Sequence, residues 1–251
     1  MKCKTKKSYW QQDIKRHEYV KTFLMGLLLI VVVSYLFYGT PLWAVLLSPY
    51  LIWHLRVWKK QAMKKRKQEF QLQFKEAIQS LSAALNVGYS VENAMRETWK
   101  DLQLLYKKEE TILREFGYMI RQLEMNLTVE AILKEFAART GDEEVWMFVT
   151  VFSMAKRSGG DMIGIIRNAV YQIGEKIDVK REIDTIMTAK RLEFRIMSTV
   201  PFAMIGYMKI SFPGFLNVLY GNVLGVIIMT VCLIIYVVAF EVGRHMVEIE
   251  V

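Results

Sequence analysis

The sequence predicts an all-α protein: four transmembrane helices and a cytoplasmic antiparallel six-helix bundle. Three observations predict it. Hydrophobic residues make up 53% of the 251 residues and charged residues 24%, yet the two populations are segregated. Two long stretches, Thr22–Leu55 and Ile210–Phe240, contain no Lys, Arg, Asp or Glu. The charged block between them has no proline from Pro49 to Pro201 and shows apolar residues at helical spacing throughout.

A bilayer crossing needs about 20 apolar residues, so each uncharged stretch is too long for one span. The first breaks at Gly39-Thr40-Pro41, a turn signal. That separates spans near Phe23–Tyr38 and Leu42–Leu55. The second breaks near Pro213-Gly214, leaving a fourth span over Val218–Phe240. A third span begins upstream near Phe194, contains Pro201 and carries Lys209 at its far end, where a lysine can reach the headgroups.

Basic residues set the orientation. Lys2, Lys4, Lys6, Lys7, Lys15, Arg16 and Lys21 precede the first span, and a run from Arg56 to Lys67 follows the second. Only Lys209 falls on the opposite side. The resulting division is a basic cytoplasmic tail (1–21), two spans with a tight external turn (22–58), a cytoplasmic helical domain (59–193), two further spans (194–240) and a cytoplasmic tail (241–251), with both termini inside. The first apolar run is long and lacks an Ala-x-Ala site, so it reads as a retained span and not as a cleaved leader. Cys3 and Cys232 lie far apart, as suits a reducing cytoplasm.

Within the charged block, Phe70, Phe74, Ile78, Leu81 and Leu85 form the first helical stripe, and Gly88 is placed as a left-handed cap. Ser90 caps a second helix carrying Val91, Ala94, Met95 and Thr98. A polar connection covers residues 103–110. Thr111 is placed as the cap of a third helix with Ile112, Phe116, Met119, Ile120 and Leu123. Thr128 caps a fourth helix with Ile132, Leu133 and Phe136. Asp142 caps a fifth, with Glu143 and Glu144 in its first turn, where the helix dipole favours them, and Val145, Phe148, Val149 and Phe152 behind. Gly159-Gly160 ends it. Asp161 caps a sixth, bearing Ile163, Ile166, Val170, Ile173 and Ile177 and running toward Ile183 and Ile186. One-faced stripes of this kind bury against one another as a bundle. Tyr89-Ser90-Val91-Glu92 echoes Leu127-Thr128-Val129-Glu130. Two similar caps or an old duplication of a helix pair both explain it.

Motifs for chemistry are scarce. The chain contains no glycine-rich phosphate loop and no nucleophile elbow. Its three histidines, His17, His54 and His245, are scattered without partners at ligand spacing. The acidic pairs Glu109-Glu110 and Glu143-Glu144 fall at helix starts. The Lys59–Lys67 run directly follows a span and lacks interleaved aromatics, which favours anionic headgroups over nucleic acid. No catalytic residue, cofactor or metal is expected.

The segment from Phe74 to Ala94, with its Asn86-Val87-Gly88-Tyr89-Ser90 turn and early Ala94, resembles the signature of the type II secretion F domain family. Lys156-Arg157-Ser158-Gly159-Gly160-Asp161 resembles that family's glycine-rich break before its last cytoplasmic helix, and Pro201 sits early in the third span as in such proteins. The C-terminal tail is similar to that of the tight-adherence pilus branch. The Gly221-Asn222 turn departs from that branch's pattern. The resemblance implies a platform protein of the bacterial inner membrane. Such a protein couples a hexameric cytoplasmic assembly ATPase to the extraction and polymerisation of pilin subunits, beside a second platform protein or a second copy of itself. Exposed charges at helix ends, Arg114, Glu115, Arg139, Glu143 and Lys156, are the candidates for ATPase contact. A membrane signalling protein with a helical cytoplasmic output domain is the alternative.

Overall fold

The computed structural model describes residues 16–38, 48–158, 161–212, 214, 220 and 222–247. The described chain is all helical, and no strand occurs among those residues. The helices are α1 (Arg16–Tyr38), α2 (Ser48–Asn86), α3 (Val91–Leu105), α4 (Thr111–Glu124), α5 (Val129–Thr140), α6 (Glu143–Ser158), α7 (Met162–Ser211) and α8 (Val223–Val247). They divide into two compact units: Ala62–Arg181, and Ile14–Gln61 with Glu182–Val251. The expected turns at Gly39-Thr40-Pro41, Gly159-Gly160, Pro213 and Gly221 lie outside the described residues, as do residues 42–47 of the expected second span and the C-terminal residues 248–251.

In the Ala62–Arg181 unit the helical stripes of α2 to α7 share one core. Phe70, Phe74, Ile78, Leu81 and Leu85 from α2 are buried in it with Ala94, Met95 and Leu102 from α3. The apolar positions of α4, α5 and α6 read from the sequence are buried too, and α7 contributes Ile166, Val170, Ile173 and Ile177. Phenylalanines hold its centre. The Phe74 ring lies 6.2 Å from that of Phe136 and meets Phe148 edge-on at 6.0 Å, geometries in which the ring quadrupoles attract. Ile163 departs from expectation: it stands 39% exposed at the start of α7, before the helix face turns onto the core.

Helix ends explain the connections. Gly88 has φ +98°. Its N–H donates to Leu85 O at 3.0 Å and Tyr89 N–H to Ala84 O at 3.2 Å, the paired hydrogen bonds of a Schellman motif. The end of α4 repeats this with Asn126 at φ +61°, Asn126 N–H on Leu123 O and Leu127 N–H on Gln122 O. The sequence echo therefore extends to the left-handed residue before each cap. The next helices are opened alike, Ser90 Oγ accepting from Asn93 N–H and Thr128 Oγ1 from Ala131 N–H. Thr111 is not a cap. Glu110 holds that place without a side-chain cap bond, because a turn from Lys107 sets the extended residue there and Gln73 occupies the Glu110 carboxylate at 2.8 Å. The polar connection is also shorter than expected, since α3 runs on to Leu105.

The second unit has its own apolar contact. Phe37 and Tyr38 from α1 pack with Met229 and Leu233 from α8, with Phe202 and Ile205 of α7 against them. Tyr236 Oη donates to Ser198 O at 2.6 Å, and Tyr38 and Thr230 hydroxyls bond at 3.1 Å. Gly243 admits Phe194, since a Cβ there would stand 2.5 Å from its ring. Lys209 Nζ donates to Tyr35 O at 2.8 Å and sits 3.5 Å from the centre of the Tyr35 ring, which together satisfy the cation. Two segments, Val20–Tyr38 and Leu224–Val247, are long and apolar enough to cross a membrane, with mean hydropathy 2.3 and 2.5. Only 22% and 11% of their most apolar windows are buried, so neither is the enclosed core helix of a folded unit. The end of α7 is less apolar. It carries Arg195, Ser198, Thr199, Pro201 and Lys209 and is not among the segments that meet that measure.

Candidate functional site

The residues of the suspected family pattern have structural roles. Gly88 is exposed and left-handed, Ser90 caps α3, and Ala94 is fully buried where α3 meets the core. Asp161 Oδ1 accepts from Gly164 N–H at 2.8 Å and so opens α7. Gly164 permits this, because a Cβ there would stand 2.1 Å from the Asp161 carboxylate. Pro201 lies inside α7, where it cannot donate to the carbonyl one turn back. Gly159 and Gly160 lie outside the described residues.

The five charged candidates do not form one surface cluster. Arg114 is exposed on α4. Glu115, the next residue, is buried and receives Arg139 Nη2 at 2.6 Å. Arg139 also binds Glu135 at 2.5 Å and lies 4.4 Å from the centre of the Tyr118 ring. Burial works against the Arg139 cation, yet the Glu115 and Glu135 carboxylates hold its pKa above the ordinary value. Glu115 and Arg139 thus clasp α4 to α5, and their exposure was misjudged from sequence. Glu143 is exposed at the α6 start and pairs with Lys176 at 3.2 Å. Lys156 lies 3.6 Å from Glu130.

A more enclosed polar cluster sits at the α6 N-terminus. Asp142 and Glu144 are both fully buried. Asp142 Oδ1 accepts from Glu144 N–H at 3.0 Å, the capping bond expected of it. Gln71 bridges the pair, its amide donating to Asp142 Oδ2 at 3.0 Å and to Glu144 Oε2 at 2.9 Å. Lys180 approaches Glu144 at 2.8 Å, Lys176 at 3.4 Å, and Lys67 approaches Asp142 at 3.5 Å. Burial penalises both acids. For Glu144 the hydrogen bonds from Lys180 and Asp142 outweigh it and hold the carboxyl at about 2. For Asp142 burial prevails, reinforced by the Glu144 charge, and its pKa is raised. Of the two, Asp142 is therefore the acid that takes up a proton first as pH falls. Three lysines and one glutamine, from α2 and α7, thus converge on the first turn of α6.

Sequence reasoning placed Asp142 and Glu144 at the helix start but missed their burial. The signal was present, since Glu144, Phe148 and Phe152 recur at four-residue steps on one face. Among the described residues no three His, Cys, Asp or Glu side chains gather as metal ligands would. The chain matches no family model, no curated protein and no solved structure.

Proposed function

We propose that this protein is a multipass platform of the bacterial inner membrane that couples a hexameric assembly ATPase to the extraction and polymerisation of pilin subunits. In this reading four spans cross the membrane. The second is formed around the start of α2 and the third by the end of α7 from Phe194. The Ala62–Arg181 unit faces the cytoplasm, where the motor docks. A neighbouring platform protein or a second copy completes the assembly. The chain itself performs no covalent chemistry and transmits movement.

The observation that carries the reading is the order of its elements. An apolar helix comes first, then a helical core opened by the Gly88–Ser90 turn, then a helix begun by Asp161, and finally a second apolar helix. This order and these turns are what resembles the type II secretion F domain. The basic residues before α1 and along α2 support a cytoplasmic core. Deletion of the gene should abolish surface pili while pilin accumulates in the membrane, and a plasmid copy should restore them. Normal piliation in the deletion strain, with paralogous genes also removed, would refute the proposal. ATP hydrolysis by the purified protein alone would move it to another class.

A further inference from the structure

Along α6, Trp146, Thr150, Ser153 and Arg157 recur at steps of three and four residues and so share one helix face. With Val149 and Met154, and with Lys134 from α5, they line an open groove of about 220 Å³. Trp146 and Met154 leave 44% and 62% of their surface exposed, a large apolar area for a solvated helix pair. Among the described residues no carboxylate lines the groove. Among the described residues neither Lys134 nor Arg157 has an ion-pair partner, whereas Lys156 and Arg139 nearby on the same two helices both do. Ser153 adds a second, independent sign. Its Oγ is buried and has no hydrogen-bond partner among the described residues. A helical serine or threonine ordinarily bonds the carbonyl one turn back, as Thr150 does with Trp146 O at 2.8 Å. A buried hydroxyl left unmatched costs free energy that an incoming polar group would recover.

We propose that this groove receives an acidic amphipathic helix of a partner protein. Three features define that occupant. Trp146 to Arg157 spans roughly 16 Å at 1.5 Å per residue, the length of three helical turns. The groove has room for one bulky apolar side chain against Trp146 and Met154, an aromatic anchor beside an adaptable thioether. Lys134 and Arg157, unpaired within the described chain, call for carboxylates on the inserted helix. A flat anionic lipid surface satisfies the charges but cannot insert a group toward Ser153 inside a concave site, so the protein helix is the better fit. On the platform reading the assembly ATPase is where such a helix is to be sought. The inference stands apart from that reading, because peptide binding is measured without any pilus.

The test uses the full-length protein in phosphatidylcholine nanodiscs and a fluorescein-labelled, three-turn helical peptide with a leucine stripe flanked by glutamates. A second peptide carries lysine in place of every glutamate. The glutamate peptide should bind in a salt-sensitive manner and the lysine peptide should not. Lys134→Glu with Arg157→Glu should weaken binding at least about tenfold. Lys100→Glu, on the exposed face of α3, should leave it unchanged. These charge reversals are at exposed positions, so they report on the groove and not on folding. Absence of binding, equal binding of both peptides, or indifference to the double reversal would overturn the proposal. So would a bimane label at Thr150→Cys that shifts to the blue when phosphatidylglycerol alone is added to the discs, or a disulfide-linked homodimer forming through that cysteine.

Discussion

Gly88 shows how little a single residue needs to touch anything in order to matter. Nothing lies within 4 Å of where its Cβ would be, so its requirement is the left-handed φ of +98° alone. Gly88→Val should therefore destabilise the helical unit by about 1–2 kcal/mol, and Gly88→Asn by clearly less, because Asn tolerates that region. Asn126 already does so at the matching position of α4. Equal losses in thermal melts of the two variants would contradict this account. The buried acids make a second prediction at this scale. Glu144, held at about 2 against an ordinary 4.5, contributes stability that is full above 4.5 and lost as pH falls toward 2. Asp142 is raised above its ordinary 3.8, so its contribution is full below 3.8 and lost as pH rises through the raised value. Asp142→Asn keeps an oxygen for the cap and cannot ionise, so it should remove the loss of stability that accompanies Asp142 ionisation as pH rises. Glu144→Gln removes the partner of Lys180 and Lys176 and should cost roughly 1–3 kcal/mol at pH 7. It should also flatten the acid limb between 4.5 and 2. Denaturant unfolding across a pH series decides between these outcomes, and identical profiles for both variants would refute the opposite shifts assigned to the two acids.

At the scale of elements, much of the helical unit was legible from sequence because two local rules suffice. Apolar residues at three- and four-residue steps mark the buried face, and Ser90, Thr128, Asp142 and Asp161 mark helix starts by the hydrogen bonds their side chains can accept. What failed was decided by contacts distant in sequence. Glu110 takes the α4 cap position through the turn from Lys107 and makes no cap bond there because Gln73 of α2 engages its carboxylate. Glu115 and Arg139 read as solvated charges because nothing local shows that α4 and α5 bring them together. Asp142 and Glu144 were placed at the helix start without their burial, because their partners lie on α2 and α7. The core itself makes a strong prediction. Phe74 is 2% exposed and meets Phe136 and Phe148, so Phe74→Ala should cost about 3–5 kcal/mol, read as a lowered denaturation midpoint. The same self-sufficiency predicts that Ala62–Arg181, expressed alone, gives a helical spectrum and one cooperative melt. A disordered spectrum would show that its core is incomplete.

For the whole molecule, the two apolar helices and the segregation of charge carry the account. Val20–Tyr38 and Leu224–Val247 are long and apolar enough to cross a membrane and leave most of their surface outward. The two further spans rest on the length of the uncharged stretches and on the positions of lysine and arginine. Thiol accessibility in intact cells tests that arrangement most directly. Cys3 and Cys232 are first replaced by serine, then single cysteines are placed at Thr40, Asn217 and the exposed Gln103 of α3. A membrane-impermeant maleimide should label Thr40→Cys and Asn217→Cys in intact cells, and Gln103→Cys only after the membrane is opened. Labelling of Gln103→Cys in intact cells, with Thr40→Cys and Asn217→Cys protected, would place the helical unit outside and contradict the four-span cytoplasmic platform.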